Sequence, residues 1–154
     1  VISRELAVAL RDAGVRWTPV MGDRFSLVDD NFDGDVFTLS DMTIEAHGPA
    51  DARVLGFNGT TEWALDSVGL EDALWLPRED QLRELMGPTF VSLRRVDGAD
   101  GTDRTYLVTV RLPPRPDEEI EADSVEEAYA LGALARIAAA NERLAPPPPD
   151  TQID

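Results

Sequence analysis

The sequence predicts an α+β fold, and three observations carry that prediction. Residues Glu118 to Leu144 read EEIEADSVEEAYALGALARIAAANERL, a short strand pattern running into a capped, alanine-rich helix. Two stretches, Val36 to Leu65 and Phe90 to Leu112, alternate apolar and polar residues with a period of two, as half-buried strands do. Two shorter stretches, Ile2 to Gly14 and Pro77 to Gly87, space their apolar residues as amphipathic helices do. The order is helix, strands, helix, strands, helix. It argues for a mostly antiparallel sheet of two hairpin units, with a long C-terminal helix and two short helices packed on one face. Residues 1–145 are expected to form one globular domain, and 146–154 a disordered proline-rich tail.

Each element has its own local reason. Ser3 is a cap for the first helix, Leu6, Leu10 and Ala13 share one face, and Gly14 supplies a left-handed stop. Trp17 and Pro19 belong to an extended connection, and Phe25 to Val28 reads as a short strand. Met42, Ile44 and Ala46 alternate with Thr43, Glu45 and His47, which suits a strand with one wet face. Arg53–Phe57 and Thr60–Leu65 flank Asn58-Gly59. A type I′ turn needs positive φ at both central residues, so this pair reads as a tight hairpin.

Leu74-Trp75-Leu76-Pro77 leads into the second helix. Proline fits its first turn, Leu82, Leu85 and Met86 form the buried stripe, and Gly87-Pro88 ends it. Phe90–Val96 and Thr105–Leu112 form a second hairpin around the acidic loop from Asp97 to Asp103. Pro113 to Pro116 breaks that strand, and Glu119–Ala122 returns as the next. Ser124 followed by Glu127 is a capping box, with Asp123, Glu126 and Glu127 placed against the positive end of the helix dipole. Val125, Ala128, Tyr129, Gly132 and Ala135 then recur at helical spacing, a smooth face with one large ring that can lie flat on a sheet.

Composition narrows the function classes. The chain has 154 residues, 43% of them hydrophobic and 29% charged, as soluble globular proteins have. Thirty acidic residues against fourteen arginines, with no lysine, give a formal charge of −16. Nucleic-acid backbones and anionic membranes should repel such a chain, and Arg94-Arg95 is too small a cluster to reverse this. No apolar run approaches the ~18 residues of a membrane span. The opening residues lack the order of a signal peptide, so a cytoplasmic location is expected. Cysteine is absent, which removes disulfide and thiolate chemistry.

Few motifs remain. Asp29-Asp30-Asn31-Phe32-Asp33-Gly34-Asp35 matches the opening of a calcium loop, with Asp29, Asn31, Asp33 and Asp35 offering oxygens at alternate positions. Position twelve, where a bidentate glutamate belongs, is Ser40, and the incoming segment with Pro19 and Gly22 does not read as a helix. An acidic turn between strands is the simpler reading, with calcium as the alternative and otherwise no cofactor. His47 is the single histidine, which excludes two-histidine metal sites and histidine relays. There is no G-x-S-x-G elbow and no glycine-rich loop with lysine. Leu112 to Pro116 resembles a proline-rich ligand, but ending a strand explains it better. Glu62 and Trp63 are nominated as an interface pair, because aromatics anchor hot spots.

The segments ISRELAVALRDAG, VFTLSDMTIEAH, VLGFNGTTEWALDSV, LWLPREDQLREL and ADSVEEAYALGAL together resemble a group of small actinobacterial proteins. Some of those carry the label pilus assembly protein, and the resemblance covers most of residues 2–135. The last two segments also resemble small phage-type proteins that end in a strand and an alanine-rich helix. Neither resemblance brings a catalytic motif. Because the chain lacks a phosphate loop and lysine, the first implies an accessory role without an ATPase. The functional expectation is therefore a non-enzymatic protein-interaction or adaptor domain with a protein partner. The alternatives are a carboxylate- or divalent-metal-dependent enzyme, and an acidic nucleic-acid mimic that binds a basic protein.

Overall fold

The structure, a computed structural model, describes residues 1–28, 34–40, 45–47, 54–56, 67–69 and 71–144. Helix α1 (Arg4–Asp12) starts where the Leu6 amide donates to Ser3 Oγ at 3.3 Å, and Gly14 beyond it takes φ +101°. Its inner face is Ala7 and Leu10, both buried, with Leu6 half-buried beside them. Strands β1 (Arg24–Leu27), β2 (Phe37–Thr38), β3 (Glu45–His47), β4 (Val54–Gly56), β5 (Ser67–Gly69) and β6 (Ala73–Leu76) follow. Helix α2 (Glu79–Met86), a 3-10 turn at Gly87–Thr89, strands β7 (Phe90–Asp97), β8 (Arg104–Val110) and β9 (Glu118–Ala122), and helix α3 (Val125–Leu144) complete the order.

The α+β class is as expected, and every strand pairing described is antiparallel. The strands are shared among three three-stranded sheets, ordered β2-β1-β6, β3-β4-β5 and β7-β8-β9. The segment Leu74-Trp75-Leu76 corrects the sequence reading. It is not only a lead into α2 but strand β6, with Leu27 opposite Ala73 and Arg24 opposite Leu76. Leu74 and Leu76 enter the main core while Ala73 enters a second cluster with Phe25, Leu27 and Leu39. Burial on both faces removes the alternation that marks a half-buried strand. Pro77 accordingly precedes the N-cap, Arg78, instead of lying within the first turn of α2.

Strand β4 pairs with Ser67–Gly69, and Leu55 is in register with Val68. The Asn58-Gly59 turn and the Thr60–Leu65 run fall outside the described residues, as does the 146–154 tail. The second hairpin stands as read, with Leu93 opposite Val108 and Val96 opposite Thr105.

Helix α3 is the middle layer. Its start is fixed by the Glu127 amide donating to Ser124 Oγ at 3.1 Å. Ala128, Tyr129, Ala130, Gly132 and Ala133 are all buried, on more than one side of the helix. One side lies on β8 and β9, and the other is covered by α1 and α2. Small residues allow that double contact. A methyl group at Gly132 would come within 2.4 Å of Met86 Cε from α2 and 3.4 Å of Val110 Cγ1 from β8. Tyr129, the one large ring, meets Phe90 edge-on at 5.8 Å. Among the described residues no helix is long and apolar enough to cross a membrane.

Candidate functional site

Two features stand apart from the packing: a buried carboxylate and a sheet face that no described helix covers. The carboxylate is Asp23, 1% exposed at the start of β1. Its Oδ2 accepts from Trp17 Nε1 at 2.9 Å and from the Val20 amide at 3.0 Å. Its Oδ1 accepts from Arg78 Nη1 at 3.0 Å and Gln81 Nε2 at 2.7 Å. Four donors occupy the roughly four lone-pair sites a carboxylate has, which leaves no acceptor for a substrate proton. Gln81 completes the link, because its Oε1 accepts from the Arg78 amide at the first turn of α2. Arg78 also donates to Gly22 O at 2.9 Å. The arrangement is a joint that locks the connection after α1 to the head of α2.

What the joint displays is a turn. The Asp23 amide donates to Val20 O at 3.1 Å, and Gly22 takes φ +89°, which a type II turn requires at its third residue. Val20 and Met21 at the tip are 51% and 59% exposed. Beside it, Trp17, Phe25 and Phe37 form a ring ladder with centroids 5.6 and 5.4 Å apart.

The uncovered face belongs to β7-β8-β9. Tyr106, Val108 and Val110 point toward α3, so Thr105, Leu107 and Thr109 point away from it. Opposite Leu107 stand Arg94 on β7 and Glu121 on β9, and opposite Thr109 stand Ser92 and Glu119. The register shift between Phe90 and Ser92 matters here, because the additional residue Val91 lets Phe90 turn inward to Tyr129. Across the face, Arg94 Nη2 donates to Glu119 Oε1 at 3.0 Å, both side chains being about half exposed. At its end Arg111 grips Asp117 through two bonds of 3.1 and 2.9 Å. That hydrogen bonding lowers the Asp117 pKa and raises that of Arg111. The face is a half-buried leucine and threonines between an arginine edge and a glutamate edge. Among the described residues no helix packs on it.

The candidate residues from the sequence are placed unevenly. Asp29, Asn31 and Asp33 lie outside the described residues, while Asp35 is exposed beside Gly34 at φ +90°. Glu62 and Trp63 also lie outside them, and of His47 the structure describes the strand position opposite Val54. Two broad clefts lie among the described residues. One of about 430 Å³ runs between the start of α1, the edge of β9 and the start of α3, with Ser3, Asp123 and Glu127 on its walls. The other, about 320 Å³, lies between Val15, Leu85 and Ile137. Sequence reasoning missed Asp23, since nothing local distinguishes it among thirty acidic residues. It also missed the open face, although the polar partners alternating with Tyr106, Val108 and Val110 were its signal. No family model, curated protein or solved structure matches this chain.

Proposed function

We propose that the protein is a non-enzymatic interaction module that docks a protein partner on the open face of β7-β8-β9. The observation that carries this reading is the face itself. Among the described residues the sheet is covered by a helix on one side and left with Leu107 half-buried on the other, which is room for a second layer. Its two charged edges give a partner orientation as well as contact. The filled coordination of Asp23 supports the same reading, since the most buried carboxylate among the described residues is committed to architecture.

Affinity capture from the native host, with wild type and Leu107→Glu as paired baits, tests the proposal. A charge placed at the centre of a docking surface should abolish capture of a specific partner. It should leave thermal stability nearly unchanged, because Leu107 lies outside the main core. Recovery of the same proteins by both baits, or a measured turnover that survives Leu107→Glu, would overturn it.

A further inference from the structure

We infer that the open face of β7-β8-β9 is a self-association surface, and that its partner is a second copy of this chain related by a two-fold axis parallel to β8. The inference rests on the interaction-module reading and names the partner. Its basis is the register. Arg94, Leu107 and Glu121 are level with one another, arginine on one edge strand, leucine in the middle, glutamate on the other. The charge therefore changes sign across β8.

Consider two copies placed face to face at the ~10 Å spacing of packed sheets. A two-fold axis lying between them, parallel to β8, sets β7 of one copy over β9 of the other. Arg94 then meets Glu121 of the second copy, Glu121 meets the second copy's Arg94, and Leu107 meets its own equivalent near the axis. Ser92 falls over Glu119 by the same operation. An axis perpendicular to the strands would instead set arginine over arginine and glutamate over glutamate. The edge-to-edge alternatives fail likewise. Joining two β9 edges brings together Glu118, Glu119 and Glu121 from both copies, and joining two β7 edges brings together Arg94 and Arg95. Of these arrangements, the charge pattern favours the axis along β8.

The expected dimer is weak. Three short strands offer roughly half of the ~800 Å² per partner that a standard interface buries. Two chains of charge −16 also repel at long range, so association should be measured near ~0.15 M salt, where the Debye length is ~8 Å.

Sedimentation equilibrium from ~10 μM to ~1 mM tests the inference with Arg94→Glu, Glu121→Arg and their equimolar mixture. Wild type should pass from monomer toward dimer over that range. Each single variant carries two like-charge contacts per dimer and should dissociate at least ~10-fold more readily. In the mixture both contacts are again between opposite charges, so association should return to within ~3-fold of wild type. Both positions are on the exposed face, and an unchanged circular dichroism spectrum checks that each variant is folded. Monomeric wild type at ~1 mM overturns the inference. So does a folded variant that associates like wild type, or a mixture that does not recover. If wild type stays monomeric while capture of another protein remains sensitive to Leu107→Glu, self-association falls and the interaction module stands. If capture is insensitive as well, both fall.

Discussion

Asp23 shows how much one side chain can determine when its solvation is wholly internal. The four donors around it come from the connection after α1 and from the first turn of α2. Removing the carboxylate leaves the Trp17 indole and the Val20 amide without an acceptor, and leaves Arg78 facing the gap. Arg78 is 30% exposed and recovers some hydration, which places the expected cost of Asp23→Ala at about 2–4 kcal/mol. Asp23→Asn should be little better. Whichever way the amide is turned, its NH2 faces one of the two donor pairs. Urea unfolding of both variants, with tryptophan emission as the probe, checks this. An asparagine variant as stable as wild type would show that the donors can be satisfied without the charge.

At the scale of elements, the controlling contact is the close approach of α2 and β8 to α3 at Gly132. Glycine inside a helix costs about 1 kcal/mol relative to alanine, so its presence there is a packing choice. Gly132→Ala would bring a methyl group 2.8 Å from Met86 Sδ and closer still to Cε, and Met86 is fully buried. Overpacking of that kind costs about 1–3 kcal/mol, which outweighs the gain in helix propensity. Met86→Ala alone should lose about 2–5 kcal/mol, because it opens a cavity. In the double variant the new methyl occupies part of that cavity, so the combined loss should fall short of the sum by about 1 kcal/mol. A double-mutant cycle by chemical denaturation reads this coupling directly, and strict additivity would refute the contact.

The same scale shows what was legible in advance. The Ser3 and Ser124 caps, the β7-β8 hairpin and the stop at Gly87 are written within a few residues of where they act. Strand β6 is not, since its partner β1 lies far back in the chain and burial on both faces erased its period. The division into three sheets and the joint at Asp23 depend on equally distant pairings. The open face was only half legible. Alternation along β8 identified which side chains leave the core, but not that no described helix covers this side.

For the molecule as a whole, pH dependence follows from which groups the fold perturbs and which the chain lacks. Arg78 lowers the Asp80 pKa chiefly by hydrogen bonding, as Arg111 does for Asp117. Those contributions are complete above the unfolded carboxylate pKa of ~3.9 and are lost as pH falls through the folded values. Both acids are on the surface, so the acid limb should be shallow and sensitive to salt. The alkaline limb is the more informative. With no lysine or cysteine in the chain and arginine charged throughout, tyrosines are the side chains left to titrate near pH ~10. Of the two, Tyr129 is the buried one, and burial followed by the charge of Glu79 raises its pKa. Its contribution is complete below the unfolded value of ~10 and is lost as pH rises through the folded one, because the unfolded chain releases that proton first. Stability measured by urea unfolding should therefore decline for wild type as pH rises above ~10, and decline much less for Tyr129→Phe, which keeps the ring against Phe90. Equal slopes for the two proteins would mean that the Tyr129 hydroxyl is free to ionise in the folded state, contrary to its place between α3 and β7.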